Sequence, residues 1–139
     1  MKETPLSKLI VEEVELNEQL LHDLLEPYIR FKKTGGLRFT ENYPKLSKYG
    51  KIIVLLLSQK AKARLIKNEN EKLRPLDIVK ISGVSRKTVD SALDKFKKRG
   101  LTTSEEKKHF IPNYSLPSVK KFLERQKLKG KKRPRMKRA

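Results

Sequence analysis

A chain of 139 residues suffices for one domain with appendages and a modest core. Its 35 Lys and Arg against 16 Asp and Glu give a formal charge of +19, which points to nucleic acid or another anionic surface as the partner. The absence of Cys excludes disulfide scaffolds and thiolate metal sites, and the longest apolar run, Ile52 to Leu57, is too short to span a bilayer.

The charge is uneven along the chain. Met1 to Ile29 holds seven acids and two bases, whereas Arg30 to Ala139 holds thirty-three bases and nine acids. Leu9 and Val11 fit either an alternating strand or a first helical turn. The amino end lacks the positive-then-apolar layout of a signal peptide, so a soluble, intracellular protein is expected. From Asn17, a plausible N-cap, the apolar residues Leu16, Leu20, Leu21, Leu24, Leu25 and Tyr28 fall on one helical stripe, with Glu18, Asp23 and Glu26 facing away. That stripe either docks on the core or forms a homodimer seam through Leu20, Leu21, Leu24 and Leu25.

After Pro27 the period changes to two. Ile29 and Phe31 alternate with Arg30 and Lys32, and Leu37 and Phe39 with Arg38 and Thr40, around Lys33-Thr34-Gly35-Gly36. A β-hairpin is expected there, with Arg30, Lys32 and Arg38 on its polar face. Ser47 to Ile66 is the strongest helix. Tyr49, Ile52, Ile53, Leu56 and Leu57 mark it as the core helix, and Lys60, Lys62, Arg64 and Lys67 crowd its carboxyl end, where the helix dipole favours cations.

Arg74 to Gly100 reads as two short helices about a tight turn. Pro75 opens the first, with Leu76, Val79 and Ile78 as inward candidates, and Gly83 supplies the left-handed turn. Val84 plugs the core, and Ser85 caps the second helix, Arg86 to Arg99. Its inward stripe is Val89, Ala92, Leu93 and Phe96; Arg86, Lys87, Asp90, Ser91 and Asp94 lie outward. Leu101 to Ser104 forms a strand, Glu105 to Lys108 a polar tip, and His109 to Ile111 a return strand.

The turn glycine, the apolar residue after it and the Val89/Ala92 pair make this stretch resemble the helix-turn-helix of many DNA-binding proteins. It departs from them at Val79, where the family often has alanine. With the following hairpin, and with KKRGL from Lys97 to Leu101, residues Ser47 to Asn113 resemble the winged helix-turn-helix superfamily. The expected fold is therefore mainly α with small β-hairpins (α+β). An N-terminal helix and hairpin extension would occupy 1–43, the winged domain 44–114, a C-terminal helix 115–126 and a disordered basic tail 127–139.

That resemblance implies double-stranded DNA binding, as a transcription regulator or an abundant nucleoid-associated protein. The amino end of the second helix would enter a groove with Arg86, Lys87 and Thr88 first, helped by Ser91, Lys95 and Lys98. Lys107 and Lys108 on the wing would straddle the backbone. Asp90 would accept from a cytosine amino group or pair with Arg86. The tail holds eight cations and no acid. Among these, Lys131, Lys132, Arg133 and Arg135 would follow phosphates without reading sequence, and in a nucleated cell they would suit nuclear import. RNA or the ribosome is the alternative partner, and an acidic protein a third. His22 and His109 have no nucleophile or ligand partner at useful spacing, so no catalysis, metal or cofactor is expected.

Overall fold

The computed structural model describes residues 15–66 and 69–136. The expectations for Leu9 and Val11 lie outside the described residues, as do residues 137–139. The first helix, α1 (Glu18–Leu25), begins where Asn17 Oδ1 accepts from the Leu20 amide at 3.0 Å, and it buries Leu21 and Leu25. The chain then forms a two-stranded antiparallel hairpin, β1 (Ile29–Phe31) and β2 (Leu37–Phe39), in the register Ile29–Phe39, Arg30–Arg38 and Phe31–Leu37. Its inner face packs on the core. Phe39 stacks on buried Tyr43 with ring centroids 3.9 Å apart, and burial pushes the Tyr43 phenol up to about 12.

Helix α2 (Lys48–Leu65) is the centre of the fold. Ser47 caps it by accepting from the Gly50 amide, and every residue from Ile52 to Ser58 is buried, so neighbouring elements enclose it on all sides. Burying such Ile and Leu side chains stabilises the fold by about 1.5–3 kcal/mol each, before chain entropy is counted. Lys60, one of the cations expected at the carboxyl end of this helix, is buried. It is 3% exposed, and its Nζ donates to Glu71 Oε1 at 3.1 Å and to the Ile111 carbonyl at 2.8 Å. This one ammonium ties α2 to the following connection and to the end of the second hairpin. A buried charge is tolerated only with such partners.

Helix α3 (Pro75–Ser82) starts with Pro75 in its first turn. The Asp77 carboxylate accepts from the Arg74 amide and side chain. Ile78, fully buried, is its inward residue; Val79 is half-buried, and Leu76 is 45% exposed rather than inward. In so short a helix one phase governs burial, and Leu76 stands two residues, more than half a turn, from Ile78. Gly83 takes φ 74° in the left-handed region and Val84 is buried behind it. Helix α4 (Arg86–Lys98) buries Val89, Ala92, Leu93 and Phe96, the whole expected stripe.

The second hairpin, β3 (Thr103–Glu105) and β4 (Lys108–Phe110), is shifted from its expected strands. Glu105 pairs with Lys108, and the turn is only Glu106 and Lys107, both at positive φ. A two-residue turn of that kind matches the strand twist better than a four-residue tip. Leu101 and Thr102 are buried rather than paired. Leu73, between α2 and α3, bridges His109 through two backbone hydrogen bonds of 2.7 and 2.9 Å, adding a third chain segment to the hairpin. Helix α5 (Leu116–Met136) docks through Leu116, Val119, Phe122 and Leu123. Its span runs into 127–136, part of the stretch expected as a basic tail.

Candidate nucleic-acid interface

Helix α4 is held against α3 across the Gly83 turn, against α2, and through an edge-on Phe96–Phe122 contact of 5.4 Å against α5. Four buried side chains fix its rotation, so the opposite ridge is presented to solvent. Along that ridge lie Lys87, Ser91, Asp94 and Lys98, flanked by Asp90 and Lys95, and all are exposed.

The cations on this ridge are not equivalent. Arg86 Nε donates to both Asp90 oxygens at 3.1 and 3.2 Å, and Lys98 pairs with Asp94 at 3.1 Å. Both pairs are well exposed, so each contributes little to stability and exchanges readily with another anion. Among the described residues Lys87 has no ion-pair partner; it is the free cation at the helix's amino end. Thr88 is half-buried and engaged in the cap: its amide and hydroxyl both meet Ser85 Oγ, at 3.3 and 3.0 Å. It is therefore turned from the ridge on which it was placed.

Tyr49, absent from the expected site, stands at its edge. It rises from the first turn of α2, packs edge-on against Phe96 at 5.6 Å, and sits 5.4 Å below the Lys95 ammonium. The Ser91 hydroxyl hydrogen-bonds to its phenol, and that bond, with Lys95 beside it, holds the phenol below its ordinary range. Ser91 and Lys95 are thus preset in position by an aromatic side chain from another helix. A Lys-Tyr-Gly triplet behind a cap carries no sequence signal of this role.

The second hairpin is nearly neutral. Lys107 occupies the turn and Lys108 lies in β4 opposite Glu105, while Glu105 also pairs with Lys72 at 2.7 Å. Lys72 in turn lies over the Phe110 ring at 5.5 Å. Behind the hairpin, His109 is half-buried with Nδ1 unpartnered; burial first, and Lys97 second, hold its pKa below the usual value. Lys97 itself donates to Ser104 Oγ at 3.1 Å, joining α4 to β3. Lys131, Lys132, Arg133 and Arg135 fall on the last part of α5, and their side chains lie outside the described residues. In α1 Leu21 and Leu25 are consumed by the core, leaving only Leu20 and Leu24 half-exposed from the expected dimer seam.

Among the described residues no group of three or more His, Asp or Glu is placed to hold a metal ion, and no helix is long and apolar enough to cross a membrane. Compared with models of known families, with curated proteins and with solved structures, the chain matches none.

Proposed function

We propose that the chain is a winged helix-turn-helix protein that binds double-stranded DNA, with α4 as the groove-facing helix and β3–β4 as the wing. The observation that carries this reading is the bridge of Leu73 to His109. It makes the order helix, bridging strand, helix, turn, helix, hairpin, with the segment before α3 added to the wing. In that order α4 protrudes with one buried face and one free face, the arrangement a major groove accepts. Lys87 meets the backbone first, Arg86 exchanges Asp90 for a phosphate or a guanine edge, and Tyr49 presents Ser91 and Lys95 alongside.

Two carboxylates on the ridge and a neutral wing leave much of the positive field away from α4. That balance supports binding dominated by backbone contacts, as in an abundant chromosomal protein, over a regulator with a few sharp sites. Genomic footprinting separates the two, through broad coverage or isolated peaks. An anisotropy titration of the full chain with matched duplex DNA and duplex RNA at two salt concentrations tests the reading itself. Tighter binding to DNA at both salts is expected; equal or tighter binding to RNA transfers the function to RNA or the ribosome.

A further inference from the structure

We propose that the β1–β2 hairpin is a second docking surface for the phosphate backbone, separate from α4, so that one molecule holds two duplex segments. This rests on the DNA-binding reading above and extends it to a second face.

The hairpin segment Ile29 to Thr40 contains Arg30, Lys32, Lys33 and Arg38 and no acid. All four are exposed. Strand alternation puts Arg30, Lys32 and Arg38 on one face, because Ile29, Phe31, Leu37 and Phe39 supply the inner face and the Lys32 amide continues the ladder to the Gly36 carbonyl at 2.8 Å. Arg30 and Arg38 are direct cross-strand partners. Like charges in that position oppose each other, and no carboxylate relieves them. Arg30 turns back to donate to the Glu26 and Ile29 carbonyls, while Lys32, Lys33 and Arg38 have no ion-pair partner among the described residues. Two acids of this region have partners of their own: Glu18 pairs with Arg64 at 3.1 Å, and Glu26, just after α1, lies 3.2 Å from His22 Nε2.

Elsewhere Arg64, Arg74, Arg86, Lys62, Lys72 and Lys98 are each matched to an acid, and Lys87 and Lys95, though unpaired, share their helix with Asp90 and Asp94, whereas the hairpin segment holds no acid. The hairpin keeps an unrelieved row of cations on a short rigid ribbon. Its tip lies against the carboxyl end of α2: a side chain at Gly35 (φ 93°) would meet Ile66 Cδ1 at 3.0 Å. Its base is fixed by Phe39 on Tyr43 and by Thr40 Oγ1 donating to the Pro27 carbonyl. From Arg38 to Lys32 the row extends roughly 7–10 Å at about 3.3 Å per residue. A duplex offers one charge per ~1.7 Å over the same length, a density that an acidic peptide does not sustain. The hairpin, α1 and the carboxyl end of α2 line one cavity, while α4 packs with α3, α5 and the Tyr49 end of α2, so the two surfaces stand on different parts of the core.

The test uses the full chain. Duplex DNA of mixed sequence is fixed to beads and loaded with protein, and capture of a second, fluorescent duplex is read. Native protein should capture it. The triple variant K32Q/R38Q/K33Q should bind a single duplex within about two-fold of native yet lose at least about five-fold in second-duplex capture, since each lost phosphate contact removes counterion release. A control of equal charge change on α5, K120Q/K121Q/R125Q, should retain capture within about two-fold. Capture unchanged in the hairpin variant, or equally lost in the control, overturns the proposal. Native protein that binds one duplex but captures no second also overturns it and leaves the DNA-binding reading intact. Native protein that binds no duplex removes both.

Discussion

Helix α4 and the β1–β2 hairpin both present clusters of cations, and they are built on opposite principles. On α4 each end of the ridge is checked by a carboxylate, Arg86 by Asp90 and Lys98 by Asp94, and the helix is clamped by four buried side chains. On the hairpin the cations are unopposed, two arginines face one another across the strands, and of the paired residues only Ile29 is fully buried. Acids beside the α4 cations repel a phosphate that is out of place, whereas the hairpin has no acid to repel an anion anywhere along it. The difference separates a face that restricts where an anion can lie from a face that does not.

The largest effect that sharpens this comparison is on anchoring. Phe96→Ala should destabilise the fold by about 3–5 kcal/mol and Val89→Ala by about 2 kcal/mol, while Phe31→Ala, half-exposed on the hairpin, should cost less than either. Chemical denaturation measures all three; a Phe31 loss as large as that of Phe96 would break the contrast. Next comes pH. Burial holds His109 neutral in the fold, so the unfolded chain takes up the proton first. The stability this contributes is present above the unfolded value of about 6.5 and is lost as pH falls through the lower folded value. The melting temperature should therefore decline on acidification below that point, and His109→Leu should flatten the decline; a profile unchanged by the substitution would count against it.

Smaller still is the turn of the second hairpin. Glu106 and Lys107 both sit at positive φ, so E106N/K107G should stabilise by roughly 1 kcal/mol in thermal unfolding. Smallest is the pair on the ridge: Arg86→Ala should alter stability by less than about 0.5 kcal/mol, because the exposed ion pair adds little to folding. A large loss of stability would make Arg86 a structural residue rather than a contact.

Local chemistry explains what was legible in the sequence. Asn17, Ser47 and Ser85 cap where cap residues precede periodic apolar runs, and Gly83 turns where the chain needs a positive φ. The buried stripe of α4 followed from its 3.6-residue period. The turn of the second hairpin was not legible, because Glu-Lys carries none of the Asn or Gly that usually mark such a turn. Leu76 was misplaced because an eight-residue helix has too few turns to fix its phase. The Tyr49–Ser91–Lys95 cluster and the buried Lys60 link residues distant in sequence, so only the packing of α2 reveals them.

The proposed docking face for DNA is α4. An anisotropy titration of duplex DNA with native chain and with K87E/K95E, across a salt series, tests it most directly. The variant should bind at least about ten-fold more weakly at moderate salt, with a slope of log affinity against log salt shallower by roughly two, and its melting temperature should be unchanged. Affinity within two-fold of native, with an unaltered slope, would contradict the assignment.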